Sequence, residues 1–184
     1  TSFVYPNRTV QKRILGSRNT LVARPWTHEM HIRWSRLGEG SLGHEMSHLF
    51  SAEFGAGLLE LPTRGVLMPD IGLLEGIAEA ADWPAEELPA HHAAAAMRQL
   101  EIAPDLRDIF QPTGFWSQPS GKAYTMMGSF VRYLIDTRGI ESFKLVYGRG
   151  SFTSVYSTSV DNLITEWEGF IDEIVLSDAA LQLA

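Results

Sequence analysis

Residues 41–54, SLGHEMSHLFSAEF, restrict the possible folds of this chain more than any other stretch. Leu42, Met46, Leu49, Phe50 and Phe54 recur at the three- and four-residue steps of a helix, so one face must pack against the rest of the molecule. His44 and His48 lie four apart, and side chains at i and i+4 stack on one face of a helix. Both imidazoles can therefore converge on one point. Glu45 stands one step round from His44, too far to join that point as a ligand but close enough to reach a water held there.

His44-Glu45-Met46-Ser47-His48 is the H-E-x-x-H pattern of zinc sites. Zinc lowers the pKa of a bound water toward ~7, and an adjacent carboxylate can take the proton as that water attacks a carbonyl. Shuffling this composition produces the pattern in about 1–2% of chains, so the motif alone is a moderate signal. The blander reading is a helix whose histidines have other partners and whose glutamate is a surface charge. The sequence has no cysteine, which excludes disulfides, thiolate ligands and cysteine nucleophiles and leaves imidazole and carboxylate as the donors.

A catalytic zinc takes three protein ligands and keeps one position open. No third histidine follows shortly downstream. Glu75, on a second helix predicted over IGLLEGIAEAADW (71–83) with Asp70 as its cap, is the candidate instead, because the intervening loop is long enough for that helix to fold back. Glu79, one turn further along the same face, is placed to hydrogen-bond a ligating histidine and fix its tautomer.

The surroundings divide in two. TSFVYP, TVQKRIL, TLVARPW and MHIRW within residues 1–36 are short, rich in β-branched and aromatic residues and separated by turn formers such as GSRN, and read as strands. Further helices are predicted over about 87–100, over KAYTMMGSFVRYLIDTRG and IESFKLVYGRG, each closed by glycine, and over SVDNLITEWEGFIDEIVLS; PTGFWSQPSG reads as a loop. The expected architecture is α+β: one domain over 1–184, β-rich over 1–36 and helical over 41–178. Phe110, Phe115, Trp116, Phe130, Phe143, Phe152, Trp167 and Phe170 are expected in the core. His28 and His31 point to opposite faces of a strand, and His91 and His92 diverge on a helix, so neither pair is expected to share a metal.

The net charge of −7 argues against a nucleic-acid partner. Residues 1–36 nevertheless carry Arg8, Lys12, Arg13, Arg18, Arg24, Arg33 and Arg36 against Glu29 alone. This suits a basic sheet on an acidic helical body, or contact with an anionic membrane surface or partner. No G-x-S-x-G or phosphate-cradling loop is present.

His44-Glu45-x-x-His48 followed by Leu74-Glu75-Gly76-x-Ala78 resembles the gluzincin metallopeptidases, which join H-E-x-x-H to a downstream glutamate ligand. The resemblance covers roughly residues 28–150. It implies one Zn²⁺ per chain held by His44, His48 and Glu75, Glu45 as general base, and an acidic residue at the offset of Glu79 orienting His44. It implies that AYTMMGSFVRYL supplies an oxyanion donor in Tyr124, and that an extended peptide or protein substrate lies along the edge strand before the metal helix, here residues 30–34, with 35–40 rimming the cleft. The glycine-rich motif by which aminopeptidase members hold a free amino terminus is absent; RLGEG (36–40) does not match it. The chain is short for the family, which suggests a piece of a longer, membrane-tethered or multidomain parent, with an extracytoplasmic or membrane-tethered location. The alternative is a peptidase-like binding or structural module that keeps the zinc-site fold without turnover.

Overall fold

The computed structural model describes residues 1–16, 22–36, 41–56, 59–64, 68–83, 88–149 and 151–183. The architecture is α+β, a small N-terminal mixed sheet set against a larger helical body. Strand β1 (Ser2–Tyr5) runs into helix α1 (Arg8–Leu15), then come β2 (Val22–Arg24) and β3 (Glu29–Arg33). The strand order is β1-β3-β2, with β1 parallel and β2 antiparallel to β3.

Two expectations are corrected here. TVQKRIL is helical, because Asn7 caps it by accepting from the amides of Thr9 and Val10 at 3.0 Å each, and Gly16 closes it in the left-handed region at φ 84°. Together the two caps outweigh the strand preference of its branched residues. MHIRW is not an edge: β3 is the middle strand, paired on both sides, and the sheet's edges among the described residues are β1 and β2. Burial of Met30, His31, Ile32 and Arg33 in succession suits a strand covered on both faces.

Met30 and Ile32 pack on Leu42 and Leu49 of α2 (Ser41–Ser51), seating the sheet on the back of the predicted metal helix. A two-stranded hairpin, β4 (Thr63–Arg64) with β5 (Met68–Pro69), leads into α3 (Ile71–Ala81), which Asp70 caps through the Leu73 amide as expected. The body continues through α4 (Ala90–Gln99), the short α5 (Leu106–Ile109) and α6 (Gly114–Ser117), the long α7 (Ser120–Arg138), α8 (Ile140–Arg149), α9 (Phe152–Tyr156), α10 (Val160–Asp172) and α11 (Asp178–Leu183). α6, α9 and α11 were not read from the sequence. The start expected for the third helix at 87 lies outside the described residues, as do 37–40.

α7 is the axis of the core: Ala123, Met126, Met127, Phe130, Val131 and Leu134 are buried on it, and α3 packs along it. The two helices approach closely because the contact is made through glycine. A Cβ on Gly76 would stand 2.7 Å from Val131 Cγ2, and one on Gly128 would stand 2.7 Å from Glu79 Cβ. Of the expected core aromatics, Trp116 is 66% exposed and Phe170 lies at the surface, edge-on to His91 and tilted against Tyr133. No helix among the described residues is long and apolar enough to cross a membrane.

Candidate metal centre

α2 and α3 lie side by side and bring their polar faces together over the core. His44 Nε2 is 3.2 Å from His48 Nε2 and 3.2 Å from Glu75 Oε2, and His48 Nε2 is 3.6 Å from the same Glu75 oxygen. An ion bonded at ~2.0–2.1 Å in tetrahedral angles separates its ligands by about 3.3–3.4 Å. The triangle of donors matches that span, and the carboxylate of residue 75 reaches it from 31 positions away. These three residues form a group that can hold a metal ion, the only such group among the described residues.

Glu79 stands behind them. Its Oε1 is 3.2 Å from His44 Nδ1, which fixes the proton on that nitrogen and leaves Nε2 as donor to the ion. His48 Nδ1 is buried with no hydrogen-bond partner, so the two imidazoles are supported unequally.

The group's electrostatics show why it attracts a cation. Burial disfavours charge on His44, yet hydrogen bonds and charge from Glu75 and Glu79 outweigh it and raise its pKa from 6.5 to about 10. Burial pushes the Glu75 carboxyl up, but hydrogen bonds from His44 and His48 overcome that and hold it at about 2. A proton on His44 thus occupies the place a metal would take.

Glu45 is buried on the same helix. Burial raises its pKa, opposed by the charges of His48 and His44 and by the Ala23 backbone N–H of β2, and reinforced by Glu75. A carboxylate so placed holds a proton more readily than one in water. Tyr124, near the start of α7, packs its ring 6.2 Å from His44 and edge-on to Phe115 at 5.1 Å, with its hydroxyl directed at Glu75. Burial and the charges of Glu75 and Glu79 push its pKa far up, so it remains a hydrogen-bond donor.

All six residues singled out from the sequence, His44, Glu45, His48, Glu75, Glu79 and Tyr124, therefore meet at one place. Two contributions were not foreseen. One is the Ala23 N–H, which could not be assigned without the strand order. The other is Asp82, whose Oδ2 accepts from the His44 backbone N–H at 2.8 Å; an aspartate at the end of a helix carries no local mark of a partner 38 residues earlier. The histidines set aside have other roles. His31 is buried with Nδ1 2.7 Å from the Tyr5 hydroxyl, His28 lies 3.7 Å from Glu60, and His91 Nδ1 bonds Ser129 at 2.9 Å. The loop expected to rim the cleft lies mostly outside the described residues.

Compared with known proteins, the chain matches no family model, no curated protein and no solved structure.

Proposed function

We propose that this chain is a zinc-dependent peptide hydrolase of gluzincin type. The observation that carries the proposal is the convergence of two imidazoles and one carboxylate from separate helices at tetrahedral spacing, with a buried carboxylate, Glu45, on the same helix as both histidines. Two nitrogen donors and one oxygen donor suit zinc among the common divalent ions. When bound, zinc supplies an acidified water and polarises the substrate carbonyl.

The protein residues divide the remaining work. Glu45 takes a proton from the attacking water as its oxygen bonds to the carbonyl carbon, and delivers it to the amine as the C–N bond breaks. Tyr124 donates to the carbonyl oxygen as negative charge develops there. Glu79 keeps the His44 ring turned with Nε2 inward. The substrate backbone runs beside β2 in place of residues 30–34, because β2 is the sheet edge adjoining α2 among the described residues.

The test is zinc content and hydrolysis measured together. Wild-type protein should hold one zinc and cleave members of a mixed peptide library. Glu45→Gln should keep the zinc and lose activity by about 10²–10⁴-fold, the usual contribution of a general base. Zinc-loaded wild type that cleaves no member of the library instead supports a binding module that retains the site without turnover.

A further inference from the structure

We infer that Asp82 is a positioning residue for the metal centre, clamping the two ligand-bearing helices to each other. The inference rests on the metal site and not on hydrolysis. Asp82 caps the C-terminal end of α3, where its backbone N–H bonds to the Ala78 carbonyl at 3.0 Å. Glu75 and Glu79 lie on the turns just before it. Its side chain crosses to α2 and accepts from the backbone N–H of His44, the first metal ligand, at 2.8 Å. One residue thus ends the helix that carries Glu75 and anchors the opening turn of the helix that carries both histidines. An anionic acceptor also suits the positive end of α2.

Gly43 supplies a separate observation. A Cβ built there would stand 2.1 Å from Asp82 Oδ1 and 2.4 Å from its Cγ. A side chain at position 43 would therefore push the carboxylate out of its place against His44. A glycine inside a helix is unfavourable relative to alanine, and the clamp accounts for this one. The donor triangle is small, with sides of 3.2 to 3.6 Å, and a slide of α3 along α2 by a fraction of a helical turn would open it. The Glu79 bond to the His44 ring resists rotation of that ring. Asp82 acts on the backbone to which the ring is attached.

The experiment uses Asp82→Ala, Asp82→Asn and Gly43→Ala, with Ser159→Ala as control. Ser159 caps the remote helix α10 by accepting from the Asn162 amide, so its loss lowers stability without touching the site. Zinc affinity is read by competition with a chromophoric chelator, and site geometry by the visible absorption of the cobalt-substituted protein. Asp82→Ala should bind zinc about 10–100-fold more weakly, as removal of outer partners of metal ligands typically does, and should lose cobalt band intensity. Asp82→Asn keeps an acceptor oxygen and should recover most of the affinity. Gly43→Ala leaves Asp82 intact and improves helix propensity, yet should weaken zinc in the same direction. Wild-type affinity and spectrum in both Asp82→Ala and Gly43→Ala overturn the inference, as does an equal loss in Ser159→Ala. A wild-type chain that takes up no zinc overturns the metal centre itself, and the clamp with it.

Discussion

Proton competition at His44 yields a quantitative prediction. With its pKa raised to about 10, this imidazole carries a proton on Nε2 throughout the neutral range, and a metal must displace it. Zinc uptake at pH 7 should release about one proton from His44, and apparent affinity should strengthen about tenfold per pH unit between 7 and 9. Without metal the sign reverses. The raised pKa of His44 gives stability that is fully present below about 6.5 and is lost as pH climbs toward about 10. The depressed pKa of Glu75 gives stability present above about 4.5 and lost as pH falls toward about 2. Chelated protein should therefore draw most from this pair between about pH 4.5 and 6.5. From about pH 6.5 to 8 it should lose at most about 2 kcal/mol, because one proton bound in the folded state alone changes stability by about 1.4 kcal/mol per pH unit. Over the same interval zinc should raise Tm by a growing margin. The assays are zinc titration by calorimetry in two buffers of different ionisation enthalpy, which counts protons, and thermal melts across pH with and without chelator. Zinc affinity that is flat from pH 7 to 9, with no buffer dependence of the heat, refutes the competition.

Three further outcomes are expected. Glu75→Gln should weaken zinc by more than about 100-fold, beyond the 10–100-fold expected for Glu79→Ala, because in the proposed centre one residue would bind the ion and the other only a ligand ring; chelator competition separates them. Tyr124→Phe should lower kcat by about 10²–10³-fold with KM nearly unchanged, the pattern of a donor that acts as charge develops, as read by steady-state kinetics on a cleaved peptide. Arg33 is 2% exposed and its Nε and Nη2 have no hydrogen-bond partner, so Arg33→Met should raise stability by about 1 kcal/mol or more in urea melts.

The site was more legible in the sequence than the sheet that supports it. His44 and His48 are tied by helical spacing, and Glu75 and Glu79 by the same spacing on a helix whose cap, Asp70, is visible in the sequence. Local rules suffice for these, once the loop between the helices is long enough to close. The N-terminal layer depended on competition between local signals. Residues 9–15 hold branched side chains that suggest a strand, but Asn7 and Gly16 flank them as helix caps and decide the outcome. The central place of β3 is a long-range fact, and its alternating Met-His-Ile-Arg disguised a strand buried on both faces. Trp116 looked like core by type, yet α6 turns it outward beside the buried Phe115. Asp82 was out of reach because its partner is set by the packing of two helices and not by anything near it in the chain.

The sheet's two borders have opposite fates. Both pair only with β3 among the described residues, but β2 adjoins α2, which carries two of the candidate metal ligands, whereas β1 presents Phe3 and Val4 at 40% and 47% exposure. An apolar border with free amides and carbonyls is a template on which a second chain can add a strand. Concentrated protein should therefore self-associate through this border first, leaving the face with the candidate metal centre open, and Val4→Lys should keep it dispersed.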